Sequence, residues 1–266
     1  MRYLYICLFL AFIPIPLAVI EFLFGATGSG LSIFDTRGVG QVTLLATVLL
    51  LVIGHIAFVA RDSISDYVAL YMREWRKALR GFLVMLAVAA GLVFAAYVVA
   101  GAFGQLQWNE EAWDQLTMRK VERTVVALFV VLILAFTEEM MFRAFLMRYL
   151  RWNTSTAVTV GAVVFSSLVF ASVHNLHDPM SWFSEEGARL FVGLFLLAVL
   201  LCTVYIVTGS IWCSIAVHLG LLGSKVILRR TEILDVQTHS WLISHADVRM
   251  TPLAWMIFGG LALVIY

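Results

Sequence analysis

Long apolar runs dominate the chain and recur at lengths that suit membrane-crossing helices. A helix needs roughly 20 predominantly apolar residues to cross the hydrocarbon core of a bilayer. The pattern predicts eight spans, at about 4–24, 40–60, 81–103, 122–140, 156–175, 188–207, 209–228 and 252–266. No internal repeat or long linker divides them. The predicted fold is therefore an all-α, polytopic membrane helix bundle forming a single membrane domain, residues 1–266.

The amino-acid composition supports this interpretation. Hydrophobic residues make up 62% of the chain and charged residues 13%, whereas soluble domains have about 45–50% and about 25%. The net charge of +1 gives no indication of a nucleic-acid partner, which would need clustered basic residues. Three cysteines, Cys7, Cys202 and Cys213, lie in apolar stretches without a CxxC pair, as expected of buried small side chains.

Basic residues between the spans predict an orientation. The segment 61–80 carries five basic residues, and 148–154 carries two, on the same side if the spans alternate. The segment 175–187 is acidic and falls on the other side. Because cytoplasmic loops are enriched in Lys and Arg, the N-terminus is expected in the cytoplasm. Arg229 and Arg230 oppose this orientation weakly.

Three ionisable residues, Glu138, Glu139 and Arg143, stand at the end of an apolar run. Such groups cost at least about 2.5–3.5 kcal/mol each inside a bilayer, so they are kept where they pair, line a hydrated cavity or act chemically. Glu139 and Arg143 are four residues apart and can pair across one helical turn. Glu138 points about 100° further round the helix, without a partner in the motif. This makes Glu138 a candidate general base.

Two histidines on later spans are the other candidates. His174 follows Phe170 by one helical turn, and could equally be a histidine at the membrane interface. His218 follows Ser214 by one turn, and could equally be bonded to a neighbouring helix. Two acids and two histidines brought together in a bundle could orient a water molecule and stabilise an oxyanion. Their spacing alone leaves open whether they converge.

The ordered pattern resembles the CPBP family, which includes the type II CAAX prenyl endopeptidases and the bacterial Abi relatives. Six residues match its EExxxR motif, its FxxxH motif and the histidine of its third motif: Glu138, Glu139, Arg143, Phe170, His174 and His218. The resemblance covers about 120–225. It indicates a catalytic core at 119–228, with N-terminal spans at 1–118 outside it.

The resemblance implies an all-helical intramembrane protease with a hydrated active site. By this resemblance Glu138 activates water, His174 assists it and His218 helps to hold the oxyanion. Glu139, grouped with these catalytic residues, would maintain the motif geometry together with Arg143. Phe170 and Ser214 are expected to support the site.

One position departs from the family. The third motif has Asn or Asp four residues after the histidine, where this chain has Leu222. Ser214 lies on the same helix face as His218 and could substitute as the oxyanion donor, as could Asn175 or Ser224. Alternatively, the chain is a weakened member of the family.

The resemblance leaves the role of a metal open. Members have been described as metalloproteases, and a metal-free glutamate mechanism is the competing view. Glu138, His174 and His218 could supply three zinc ligands. They could equally form a general base with its electrophilic helpers, and the sequence contains no HExxH motif.

The leading hypothesis is an endopeptidase in a prokaryotic plasma membrane that cuts a membrane-tethered peptide or protein within the lipid bilayer. Its substrate could be a CAAX-type tail, a leader peptide or a C-terminal sorting segment. A non-catalytic immunity or scaffold protein with the same fold is the second hypothesis, and Leu222 is its main support. A proton-coupled transporter is the third, against which stands the absence of repeat symmetry.

Overall fold

The computed structural model describes residues 14–26, 39–54, 75–104, 107–151, 155–174, 183–235 and 248–265. The helices in these ranges are α1 (Pro14–Ala26), α2 (Val39–Gly54), α3 (Trp75–Ala102), α4 (Met118–Glu139), α5 (Arg148–Leu150), α6 (Thr156–Val173), α7 (Glu185–Thr208), α8 (Ile211–Thr231) and α9 (Pro252–Ile265). A π-helical segment, Met140–Met147, joins α4 to α5. Two 3₁₀ turns, Glu110–Ala112 and Val248–Met250, and two short strands, β1 (Gln107–Trp108) and β2 (Leu234–Asp235), complete the described elements.

Five described helical stretches are long and apolar enough to cross a membrane: Arg76–Ala102, Met118–Leu150, Thr156–Val173, Glu185–Thr208 and Ile211–Thr231. The predicted helical membrane bundle is thus confirmed. The expected spans 4–24 and 40–60 overlap α1 and α2, of which 13 and 16 residues are described. The expected span 252–266 corresponds to the 14-residue α9. The number of eight crossings is therefore not established by the described residues.

Local chemistry sets where several helices begin and end. A hydroxyl oxygen immediately before α4, α6 and α7 accepts a backbone N–H of the first turn, which would otherwise lack a partner. These capping residues are Thr117, Ser155 and Ser184. Helix α7 ends at Gly209, whose φ of 63° is left-handed and suits glycine. The connection from α7 to α8 therefore needs only Gly209 and Ser210.

The helix that carries the acidic motif is longer than its apolar run predicts. It continues without a break from Met118 to Leu150, 33 residues, where the sequence predicted a span at 122–140. At 1.5 Å per residue its length is about 50 Å, and Glu138 lies about 30 Å from Met118. The sequence prediction ended the span at 140 because Glu138, Glu139 and Arg143 lower the local hydropathy. In the structure these three side chains are buried in protein.

This length removes an apparent conflict in the topology. A span ending at 140 would place Glu138 and His174 near opposite membrane faces unless helices tilt or 141–152 lies along the interface. Instead, α6 packs beside the extension of α4. Arg151 Nε donates to Thr159 Oγ1 at 3.2 Å, and Phe142 contacts Phe170 with ring centroids 4.9 Å apart. The C-terminal end of α6 therefore returns to the level of Glu138.

Helix α8 lies at the centre of the described bundle and packs against α3, α4 and α7. It lies close to α3 at Gly220, where an added Cβ would lie 2.7 Å from Cβ of Ala89. At the far end of α8, β2 pairs antiparallel with β1, and Lys120 Nζ lies 2.8 Å from Oε2 of Glu232. These contacts fix α8 against the start of α4, so that His218 is held beside the acidic motif.

Candidate active site

The described structure brings the predicted site residues together from three helices. Glu138 and Glu139 end α4, and Arg143 lies one turn further on in the π-helical segment. His174 directly follows α6, while Ser214 and His218 lie one turn apart on α8. The two glutamates and the two histidines therefore converge, which their spacing in the sequence could not show.

Glu139 lies at the centre of a fully buried network. Its Oε1 atom accepts a hydrogen bond from Nδ1 of His218 at 2.9 Å and lies 3.0 Å from Nη1 of Arg143. Its Oε2 atom accepts from the hydroxyl of Ser214 at 2.5 Å. Both carboxylate oxygens therefore have close partners, and charge-assisted bonds of this kind are stronger than neutral ones.

Arg143 is also fully buried, and its charge is compensated in three ways. It pairs with Glu139, its Nη2 donates to the carbonyl oxygen of Ala198 at 3.2 Å, and its guanidinium carbon lies 5.1 Å from the ring centroid of Phe170. Cation–π contact within about 6 Å is favourable, and more so away from water. The ion pair predicted from the four-residue spacing is therefore extended by a third helix, α7, and by an aromatic ring.

Glu138 has looser surroundings than Glu139. Its side chain is 11% exposed, and its Oε1 lies 3.8 Å from Nε2 of His174. Its Oε2 lies 3.8 Å from Nε2 of His218. These separations exceed the 2.7–3.2 Å of a direct hydrogen bond. At such distances a water molecule can bond to both groups at once, so the carboxylate can share a water with either ring.

The hydrogen-bond partners indicate which ring nitrogen of each histidine carries a proton. Nδ1 of His174 lies 2.7 Å from the carbonyl oxygen of Phe170, and Nδ1 of His218 faces the Glu139 carboxylate. Because both partners only accept, both Nδ1 atoms carry a proton. Both Nε2 atoms therefore face Glu138.

Phe170 contacts both parts of the site. Its ring centroid lies 4.6 Å from that of His174 and 6.3 Å from that of His218. It also packs edge-on against Phe142 and beneath Arg143. Phe170 is buried, so it fixes the orientation of the two imidazoles without adding a polar group.

The metal hypothesis named Glu138, His174 and His218 as ligands. Within the part of the chain that the structure describes, no group of three or more His, Cys, Asp or Glu side chains is arranged to hold a metal ion. The three residues named for zinc therefore do not fit a metal site as placed.

The structure gives Ser214 a different position from that of an oxyanion donor. Its buried hydroxyl faces Glu139, so the proposed substitution for the missing Asn or Asp is not supported by the geometry. The hydroxyl of Ser224 donates to the carbonyl oxygen of Gly220 at 2.6 Å, within its own helix. Asn175 lies outside the described residues, and Leu222 offers no polar side-chain atom.

One contact of the site could not be found by sequence reasoning. The carbonyl oxygen of Ala198 is a backbone group on an apolar span and has no side-chain signature. The π-helical geometry of 140–147 is likewise invisible, because a four-residue spacing suits an α-helix equally well.

Comparison with known proteins gives one match. Residues 120–221 match a family model described as Type II CAAX prenyl endopeptidase Rce1-like. No curated protein and no solved structure matches the chain. The matched range includes every site residue from Glu138 to His218 and ends immediately before Leu222.

Proposed function

We propose that this protein is an intramembrane endopeptidase in which Glu138 activates the attacking water, and the match of residues 120–221 to the type II CAAX prenyl endopeptidase family model supports this. The observation that carries the proposal is the placement of Glu138 between two imidazole Nε2 atoms, each 3.8 Å from a different carboxylate oxygen. A general base of this kind contributes about 10²–10⁴-fold to a rate.

The reaction uses the two histidines differently. A water bonded to Glu138 and His174 loses a proton to Glu138 as its oxygen attacks the peptide carbonyl. His218, the more deeply buried ring, is positioned by Glu139, and with a second proton on Nε2 it donates a hydrogen bond that stabilises the oxyanion. No step needs a hydroxyl nucleophile, since the Ser214 hydroxyl is engaged by Glu139.

The substrate is a peptide or protein held in the same membrane. Its class is a CAAX-type tail, a leader peptide or a C-terminal sorting segment. Glu138 lies about 18 Å from Leu150 along the helix, and Arg148 and Arg151 follow at that end. Because cytoplasmic ends of spans are enriched in Lys and Arg, we expect this end to lie in the cytoplasm and the substrate to reach the site from that side.

Cleavage by purified protein in liposomes tests the proposal. A library of membrane-tethered peptides is incubated with wild type, with Glu138→Gln and with Glu122→Gln, an exposed carboxylate on the same helix that serves as a matched control. We expect wild type and Glu122→Gln to cut, and Glu138→Gln to be inactive. Equal cutting by Glu138→Gln would overturn the role of Glu138.

Two further outcomes separate the alternatives. If a chelator abolishes cleavage and zinc restores it, Glu138, His174 and His218 act as metal ligands and the metal-free reaction is wrong. If wild type binds the tethered peptides but cuts none of the library, the non-catalytic scaffold hypothesis, which Leu222 supports, replaces the enzyme.

A further inference from the structure

The network around Glu139 supports a role for His218 beyond holding the oxyanion. We infer that His218 is a general acid that delivers the proton to the leaving amine, with Glu139 and Ser214 as positioning residues behind it. The inference rests on the proposed peptidase function. It names the source of the proton that the leaving nitrogen takes up, because the attacking water gives its own proton to Glu138.

The two imidazoles have different hydrogen-bond partners at Nδ1. Nδ1 of His218 faces a carboxylate, Glu139, at 2.9 Å. Nδ1 of His174 faces a neutral carbonyl, that of Phe170, at 2.7 Å. A carboxylate behind an imidazole fixes its tautomer and stabilises the imidazolium, as the buried aspartate does in serine hydrolases. His218 is therefore the ring equipped to hold a second proton.

The local charge of the site also favours a second proton on His218. Glu138 and Glu139 are two carboxylates, and Arg143 is one guanidinium, so the group carries one net negative charge when both rings are neutral. A buried charge is costly unless it is paired and hydrogen-bonded. His218 is 1% exposed and lies within 4 Å of both carboxylates, so a proton on its Nε2 makes the site neutral.

Several charged or titratable groups surround His218 and its neighbours. Glu138, Glu139 and Arg143 lie on α4 and its extension, His174 follows α6, and Cys202 of α7 lies near Arg143 and Glu139. Arg249, in the Val248–Met250 turn, adds a positive charge near His174. Helix α3 meets α8 at Gly220, two residues after His218, through Leu86, Ala89 and Ala90, which are apolar.

The steps balance when His218 starts with a proton on both Nδ1 and Nε2. The water oxygen bonds to the carbonyl carbon, one water proton passes to Glu138, and the carbonyl oxygen takes the negative charge. When the oxyanion re-forms the carbonyl, the C–N bond breaks and its electron pair stays on nitrogen, which takes the Nε2 proton of His218. The products are a carboxylic acid and an amine. Transfer of the proton from Glu138 to His218, 3.8 Å apart, restores both groups.

A pair of substrates separates this role from oxyanion stabilisation. One is a membrane-tethered peptide that wild type cuts, and the other is its ester analogue, in which oxygen replaces the scissile nitrogen. An alkoxide leaves with far less need of protonation than an amine. His218→Gln keeps an N–H for the oxyanion but cannot deliver a proton.

We expect His218→Gln to lower amide cleavage by about 10²–10⁴-fold and ester cleavage by much less. His174→Gln is the matched control and is expected to lower both equally, because water attack is common to both substrates. Equal losses for amide and ester in His218→Gln would overturn the inference. Failure of wild type to cut either substrate would instead count against the proposed function.

A second measurement does not depend on the folding of the His218 variant. Ser214→Ala removes a hydrogen bond to Glu139, which leaves more negative charge facing His218. The alkaline limb of the kcat profile is then expected to move to higher pH. Ser224 is a half-buried serine on the same helix whose hydroxyl donates to the carbonyl oxygen of Gly220, so Ser224→Ala should leave the limb in place. A lower rate with an unmoved limb in Ser214→Ala would show a merely structural role.

Discussion

Glu138 and Glu139 are neighbours in sequence, but the structure treats them very differently. Glu139 is fully buried, and each of its oxygens has a partner within 3.0 Å. Glu138 is slightly exposed, and its oxygens lie 3.8 Å from the two imidazoles. The difference arises because adjacent helical residues point about 100° apart.

This difference indicates that the two glutamates of the motif have different roles. Short bonds to several partners hold Glu139 in one position, which suits a residue that organises other side chains. The longer separations around Glu138 leave room for a water and a substrate carbonyl. We therefore expect changes on the Glu139 side to affect folding stability, and changes on the Glu138 side to affect chemistry alone.

The largest expected effect is on the reaction. Glu138→Gln should lower kcat by about 10²–10⁴-fold, while the Tm of the protein in detergent stays within a few degrees of wild type, because no short hydrogen bond is lost. Cleavage assays and thermal unfolding on the same sample check this. A large fall in Tm would show that Glu138 is also part of the structural network.

The second effect is on stability. Arg143→Met should destabilise the protein by about 3–5 kcal/mol, because it leaves the Glu139 carboxylate buried without its charge partner. Unfolding by denaturant in mixed micelles measures the change. Replacing both residues, Glu139→Leu with Arg143→Met, should be less destabilising than Arg143→Met alone. Additive losses in the double variant would contradict the pairing.

Phe170 contacts both the Arg143 side and the His174 side of the site, so its substitution tests whether stability and activity can be changed separately. Phe170→Leu removes aromatic contacts to Arg143 on one side and to His174 on the other. We expect a loss of about 1–2 kcal/mol in the free energy of unfolding together with reduced kcat. Val169→Ala, on the neighbouring partly buried position of α6, serves as a packing control whose kcat should be unchanged.

The smallest effect is expected at Ser214. Ser214→Ala should lower the free energy of unfolding by about 1 kcal/mol, because a buried hydrogen bond to a carboxylate is lost while the helix itself is unaffected. Ser224→Ala should change it by less. If the two variants lose equal stability, the bond to Glu139 adds nothing beyond an ordinary serine–backbone contact.

The sequence predicted the helical membrane bundle and the residues of the site, but not how the residues meet. The apolar runs were sufficient for the helices, because span length follows from bilayer thickness. They misplaced the end of α4, since hydropathy counts Glu138, Glu139 and Arg143 as polar without knowing that protein surrounds them. The Ala198 carbonyl and the direction of the Ser214 hydroxyl depend on how α7 and α8 dock, which no local pattern encodes.

The π-helical segment has a consequence for comparing this chain with related sequences. A π-turn follows nearly the same path as an α-helix that has gained one residue. The stretch Met140–Met147 therefore lets the acidic motif and Arg148–Leu150 each keep their own helical phase. A relative with one residue fewer here could form a plain α-helix and still keep its basic end at the same rotation relative to the two glutamates. Alignment gaps in this stretch should thus be interpreted as a local exchange between π- and α-helical turns, with the flanking residues left in place.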